Sequence, residues 1–227
     1  MKKFFKIAGI GCLSIIGFFV ISGILVGIFS SDTETELNTE TKLTTENNKS
    51  KTIVIDSIQL KKEEKRKDSL LAVKKQKRKK AERDLKKFKK KEDEFEGNAF
   101  YRDPRTPYYA NVNFIYPYIG EKDNYYWLRL KFQYASDSWL FIKNGTLLVD
   151  GEKFEITGKW EKDHNSGIWE WLDISVGASE RIILDKIVNS KSAKIRYVGT
   201  KYHDDRKITS KEKSIIRKTL EIYDNLK

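Results

Sequence analysis

The stretch NYYWLRLKFQYA, residues 124–135, decides the class of fold, because its large side chains alternate strictly along the chain. Successive residues of a β-strand point to opposite faces of a sheet. One face would therefore carry Tyr126, Leu128, Leu130, Phe132 and Tyr134, and the other face Tyr125, Trp127, Arg129, Lys131 and Gln133. This pattern predicts a strand with one side against an apolar core and the other side in water.

Further strands are predicted on both sides of this one. Residues 112–118 alternate in the same way, and Pro117 favours an edge position because proline cannot donate a ladder hydrogen bond. Asp150-Gly151 is a hairpin turn signal, whereas Asn144-Gly145 is either a second turn or a bulge in one long strand. Two later segments, residues 168–176 and 193–199, complete the predicted strands.

Two helices are expected in the same region. Residues 179–188 place isoleucine, leucine and valine at helical spacing. Thr209 and Glu212 form a capping-box pattern that would begin a C-terminal helix. We therefore expect residues 96–227 to form an α+β domain, built as an antiparallel sheet or sandwich of six to eight strands with two helices.

The N-terminal region predicts a membrane anchor. Residues 7–29 hold no charged side chain, and a helix of 23 residues is long enough to span the hydrocarbon core. A cleaved signal peptide would have a shorter apolar run with a small-x-small cleavage site, and Cys12 stands too early for lipoprotein processing. Lysines precede the run and acidic residues follow it, so residues 1–6 would be a cytoplasmic tail and the rest extracytoplasmic. The predicted location is a cell membrane, crossed once.

Between anchor and domain we expect two segments of different character. Residues 30–57 are rich in Thr, Glu, Asn and Ser, which predicts a disordered spacer. Residues 58–95 contain neither Pro nor Gly and predict a helical stalk. The stalk is either a solvated single helix or a weak coiled coil, and Gly23 with Gly27 offers a second route to self-association, within the anchor.

The net charge of +12 is concentrated in this stalk. Residues 74–91 hold twelve basic and two acidic residues, whereas residues 95–227 are only weakly basic. The candidates for contact with an anionic lipid or envelope polymer are Lys74, Lys75, Lys77, Arg78, Lys79 and Lys80. Nucleic acid is not expected as a partner, because the stalk has few aromatic residues and the predicted topology keeps it outside the cell.

Several segments of the domain together resemble a known group of proteins. They are YYWLRLKFQYASDSWLFI, VDGEKFEI, NSGIWEW and AKIRYVGTKYHDDRKITSKEK, within residues 94–227. The pattern resembles uncharacterised bacterial proteins that are membrane-anchored or lipid-anchored and carry a C-terminal β-rich domain. That group has no established activity, so the resemblance implies a type of domain and no reaction. A transmembrane helix would here replace the lipidated cysteine of its lipoprotein members.

The sequence carries no recognisable catalytic or cofactor signature, and we expect neither a cofactor nor a metal site. One candidate for chemistry is Glu170 between Trp169 and Trp171, which could be an acid in an aromatic cleft. The candidate binding residues are Tyr125, Trp127 and Arg129, which would form an aromatic platform unless a second sheet covers them.

The expected function is therefore a single-pass envelope protein with a non-enzymatic extracytoplasmic binding or interaction domain. Two alternatives remain open: an envelope enzyme acting on carbohydrate through Glu170, and a basic adaptor whose body lies in the cytoplasm.

Overall fold

A computed structural model describes the backbone of residues 45–227 and the side chains of residues 60–227. Residues 53–227 form a compact unit that holds the folded domain. The predicted tail and transmembrane helix, together with residues 30–44 of the predicted spacer, lie outside the described residues. Within the described part, no helix combines the length and the apolar composition that crossing a membrane requires.

The stalk prediction needs correction at both ends. Helix α1, Thr45–Leu85, begins inside the segment predicted as disordered spacer and ends ten residues before the predicted end of the stalk. Its last turn belongs to the domain, because Ala81, Leu85 and the following Phe88 are buried in the common hydrophobic core. These three residues lie in the segment predicted as stalk, but they pack against the domain of the same chain.

Ten strands follow, and all of their pairings are antiparallel. Their bounds are β1 Lys89–Asp93, β2 Asn98–Arg102, β3 Phe114–Lys122, β4 Tyr125–Ser136, β5 Asn144–Val149, β6 Glu152–Ile156, β7 Glu161–His164, β8 Ile168–Ser175, β9 Ala193–Val198 and β10 His203–Lys207. A six-stranded sheet has the order β1-β2-β3-β4-β8-β7, and a four-stranded sheet has the order β10-β9-β5-β6. The predicted α+β class and antiparallel sheets are confirmed, in the form of a half-barrel.

The core lies between the two sheets and follows the predicted alternation of β4. Leu128, Leu130, Phe132 and Tyr134 are all buried. Aromatic contacts join the sheets: the ring centroids of Tyr134 and Tyr197 are 5.2 Å apart. The hydroxyl of Tyr197 also donates to the backbone oxygen of Gln133 at 3.2 Å, which ties β9 to β4.

Two helices complete the domain. Helix α2 spans Ala178–Asn189 and helix α3 spans Ser210–Leu226. The predicted capping box is confirmed, since Thr209 accepts from the Glu212 amide and the Glu212 carboxylate accepts from the Thr209 amide. The Glu212 carboxylate also accepts from the Ile115 amide at 2.8 Å. It is therefore the hydrogen-bond partner of a backbone N–H in the part of β3 that does not pair with β2. Pro117 lies in this same part of β3. Because this part does not pair with β2, the missing N–H of Pro117 interrupts no hydrogen bond between the two strands.

Tight turns set the register of two hairpins. Asp150 and Gly151 have φ angles of 46° and 93°, which confirms the predicted turn between β5 and β6. Asn144-Gly145 is neither a turn nor a bulge, because it begins β5. The sequence analysis missed the turn between β3 and β4, where Asp123 and Asn124 have φ angles of 52° and 63°.

Candidate binding groove on the outer sheet face

The outer face of the six-stranded sheet, which points away from the four-stranded sheet, carries a groove of about 870 Å³. Strand alternation places the odd-numbered residues of β4, such as Trp127, Arg129 and Lys131, on this face. The groove crosses β1, β2, β3, β4 and β8. Its lining consists of Lys89, Lys90, Lys91, Phe100, Arg102, Tyr108, Tyr116, Tyr118, Lys131 and Asp173.

A hydrogen-bonded triad connects β3, β4 and β8 in this face. The Tyr118 hydroxyl donates to the Asp173 carboxylate, with distances of 3.0 and 2.8 Å to its two oxygens. The Arg129 Nε donates to Asp173 Oδ1 at 2.8 Å and contacts the Tyr118 oxygen at 2.9 Å. Burial, with Asp173 beside it, raises the pKa of Tyr118 above its ordinary value, so the phenol stays a donor. Through its ion pair with Asp173, Arg129 neutralises the one carboxylate among the lining residues.

Lys131 is a half-buried cation of the groove, like Arg102. In the sheet register it lies between Tyr116 on β3 and Asp173 on β8, and its Nζ is 5.7 Å from the ring centroid of Trp171. Burial lowers the pKa of Lys131 because it penalises the charged form. Asp173 opposes this shift, whereas the neighbouring cations increase it. An anion bound beside its ammonium group would offset part of that penalty.

Three further cations of the lining lie on β1 and β2. Lys89 and Lys91 share the outer face with Arg102. Within residues 60–227, none of the three forms an ion pair, and neither does Lys131. Lys90, by contrast, is paired with Glu92. The groove therefore presents four cations that lack a carboxylate partner in the described part of the chain.

Aromatic rings line the groove between these cations and pack against one another. Phe100 meets Tyr118 edge-on with 5.9 Å between centroids, and it meets Trp127 edge-on at 6.1 Å. The Tyr116 and Tyr118 centroids are 6.3 Å apart. Arg102 lies 5.8 Å from the centroid of Tyr108, a ring that comes from the loop between β2 and β3. Such mutual contacts hold the rings in fixed positions.

The predicted platform residues all lie on the outer face. Tyr125 is 71% exposed and stacks with Trp127, with 6.2 Å between centroids and 26° between planes. The four-stranded sheet packs against the opposite face, so the alternative in which a second sheet covers these residues is wrong. Arg129 is held by Tyr118 and Asp173, and it therefore supports the groove more than it extends the platform.

The predicted basic cluster of the stalk lies apart from this groove. The side chains of Lys74, Lys75, Lys77, Arg78, Lys79 and Lys80 are exposed along α1. Within residues 60–227, two of them form ion pairs: Arg78 with Glu82 at 3.2 Å, and Lys80 with Glu221 on α3 at 2.7 Å. The remaining four extend over two turns of an exposed helix.

The candidate acid Glu170 faces away from its tryptophan neighbours. It is 1% exposed, and its carboxylate accepts from the backbone N–H groups of Leu140, Phe141 and Ile142 at 2.7 to 2.9 Å. Trp169 and Trp171 point to the other side of β8, because adjacent strand residues alternate. The acid between two aromatic rings suggested by the sequence is therefore not assembled, and the carboxylate instead holds the segment before β5.

Within the part of the chain that the structure describes, no group of three or more His, Cys, Asp or Glu side chains is placed to hold a metal ion. Comparison with known proteins gives no match to a family model, to a curated protein or to a solved structure. The resemblance to anchored bacterial proteins with a β-rich domain stays a prediction from the sequence.

Sequence reasoning placed Lys131 on the water-facing side of its strand but missed most of the groove. The sequence predicts a helical stalk for Lys89 and Lys91. It predicts no element for Arg102 and only a strand for Tyr118. One signal could have found part of the site, namely the alternation of Tyr116 and Tyr118 with the core residues of β3.

Proposed function

We propose that the chain is a non-enzymatic binding protein of the bacterial cell envelope, and that its domain binds an anionic ligand in the groove of the outer sheet face. The observation that carries this proposal is the charge of the groove. Lys89, Lys91, Arg102 and Lys131 lie among aromatic rings without a carboxylate partner in residues 60–227, and the one carboxylate of the lining is neutralised by Arg129. Such a surface favours an anion that also presents a ring or an apolar face.

The location is argued from the sequence. Residues 7–29 are uncharged and flanked by lysines on one side and acidic residues on the other, which favours a single span with the domain outside the cell. A reporter enzyme fused after Lys227 tests this part. Activity only outside intact cells is the expected result, and activity only inside would replace the envelope protein by a cytoplasmic adaptor.

Binding is tested with the full chain in detergent, using dextran sulfate as a generic polyanion probe. Lys131→Met keeps the side-chain volume but removes the half-buried charge, and Arg102→Met removes a second one. Each variant is expected to weaken binding about tenfold or more. The matched control is Lys153→Met, which removes an exposed charge on β6 of the other sheet. Equal weakening by all three variants would mean that binding is diffuse, and the groove would then lose its role.

A further inference from the structure

We infer that the ligand of this groove is a linear acidic glycan, a chain of sugar rings carrying repeated carboxylate or phosphate groups, lying across the strands. This inference rests on the proposed function, and it adds a ligand class and a direction. It comes from the spacing of the cations and from the way in which the aromatic rings are packed.

The four cations lie on β1, β2 and β4, so they span four neighbouring strands and occupy three of them. Lys89 on β1 is directly opposite Arg102 on β2 in the sheet register, and Lys131 lies two strands further on β4. Neighbouring strands are about 4.8 Å apart, so the line from β1 to β4 covers about 14 Å. A small anion can contact one or two of these charges, whereas an extended chain with repeated charges can contact all of them. The groove geometry therefore favours an oligomer over a single anion.

The two ends of this line differ in burial. Lys131 is half-buried, and its Nζ is 5.7 Å from the ring centroid of Trp171. Lys89 and Lys91 lie on the exposed edge strand β1. A ligand would be anchored at Lys131, and its extension toward β1 would add contacts as the chain becomes longer. Affinity should consequently rise with the number of charged sugar units until the line of cations is filled.

The packing of the rings argues for sugars over nucleobases. Sequence-tolerant binding of single strands uses ring faces on which bases stack. In the groove, Phe100 meets both Tyr118 and Trp127 edge-on, and Tyr108 is the one exposed ring among the lining residues, so a strand of bases would not find a series of open ring faces. The lining offers the exposed phenol group of Tyr108 together with lysine and arginine N–H donors. These groups match the hydroxyls and acidic groups of a charged sugar.

The test uses the full chain in detergent-free nanodiscs of neutral phosphatidylcholine, and galacturonate oligomers of one to eight units. Binding is followed by isothermal titration, with dextran as the neutral glycan, a twelve-nucleotide deoxythymidine strand and phosphatidylglycerol vesicles as the competing classes. The longer oligomers are expected to bind at least tenfold more tightly than the monomer, and at least tenfold more tightly than the oligonucleotide or the vesicles. Dextran is expected not to bind.

Two double variants of equal charge change decide where the oligomer lies. Lys89→Met with Lys131→Met removes both ends of the cation line, and it should flatten the dependence of affinity on length and on salt. Lys153→Met with Lys194→Met removes two exposed charges from the four-stranded sheet and should change neither.

The outcomes separate the inference from the proposed function. If the monomer binds as tightly as the octamer, or if the oligonucleotide or the vesicles bind more tightly, the glycan is overturned while anion binding in the groove stands. If no probe, including dextran sulfate, distinguishes the groove variants from the control variants, the proposed function falls together with the inference.

Discussion

Trp127 lies across Gly120, and its indole occupies the space that a Cβ at that glycine would fill. The two residues are direct partners in the β3–β4 register. Gly120→Ala must push the ring off the sheet, so we expect a loss of about 1–3 kcal/mol in the free energy of unfolding. Urea denaturation followed by tryptophan fluorescence measures it, since all five tryptophans lie in the domain. Gly145→Ala is the control, because the nearest atom to its new Cβ would be 3.6 Å away. Equal effects of the two changes would contradict this account.

Glu170→Gln should destabilise the domain. The carboxylate accepts three backbone N–H bonds, and it does so where Phe141 takes a φ of 54°. A glutamine has one acceptor oxygen and an NH₂ group, so at least one buried N–H loses its partner, at a cost of about 2 kcal/mol or more. Thermal unfolding of this variant is compared with Glu161→Gln on the exposed strand β7, where the change should stay within about 0.5 kcal/mol. A glutamine variant of unchanged stability would remove the structural role of Glu170 and reopen the enzymatic one.

Phe88→Ala should cost about 3–5 kcal/mol, because Phe88 is 8% exposed and belongs to the domain core although it directly follows the stalk helix. Leu71→Ala on the same helix is the control, since Leu71 is 64% exposed and its truncation should change stability by less than about 0.5 kcal/mol.

A chain that begins at residue 96 would lack β1 as well as Phe88, and we expect it to be less stable than one that begins at residue 53. Equal unfolding midpoints for these two chains would show that the end of α1 is dispensable.

Asp84→Asn should give a pH-dependent loss of stability. Hydrogen bonds from Lys218 on α3 and from Lys87 hold the pKa of Asp84 well below its ordinary value. A lowered folded-state pKa means that the stabilisation is present above the unfolded pKa of about 3.9 and is lost as the pH falls through the folded value. The variant should therefore be roughly 1 kcal/mol less stable at pH 7, with a difference that narrows below pH 4. Asp68→Asn, at an exposed position of α1, should show no such trend in parallel urea titrations.

Tyr197 should contribute to alkaline unfolding. Burial raises the pKa of Tyr197 to about 12, so its contribution to stability is present below the unfolded value of about 10 and is lost as the pH rises through 12. Tyr197→Phe removes the hydrogen bond to Gln133 and costs about 1 kcal/mol at pH 7. Between pH 10 and 12, the free energy of unfolding of the Tyr197→Phe variant should therefore fall less than that of the unsubstituted protein. An identical decline in urea titrations across this range would mean that other groups account for it.

The sequence was sufficient for elements in which both the apolar pattern and the local signals agree. β4 and β8 have the predicted bounds within about one residue, and α3 begins after the predicted capping box. The missed strands are β1, β2, β7 and β10, and three of these, KKKED, EKDH and HDDRK, lack apolar residues. These three lie at sheet edges, where charged side chains are typical because they discourage pairing with other chains. Periodicity cannot find a strand that has no buried face.

For the candidate site, too, the sequence predicts the features that are local to one strand and misses the contacts between strands. The sequence correctly placed Trp127 and Arg129 on the water-facing side of β4, since alternation along one strand is a local property. It could not place Lys89 or Asp173 beside them, because these residues are 42 positions before and 42 positions after Lys131. Their proximity depends on the strand order β1-β2-β3-β4-β8, which no pattern within a single strand specifies.

By itself, the amino-acid sequence determined that residues 96–227 form an antiparallel α+β domain, which face of its central strand meets the core, and that positive charge is concentrated before it. Only the tertiary structure decided that the end of the charged helix and the strand after it belong to the domain, and that the lysines of this strand meet tyrosines and Lys131 in one groove. The reason is physical: burial patterns follow from chemistry along the chain, whereas a site made from several strands depends on pairings between residues distant in sequence, whose partners are selected by packing of the whole core.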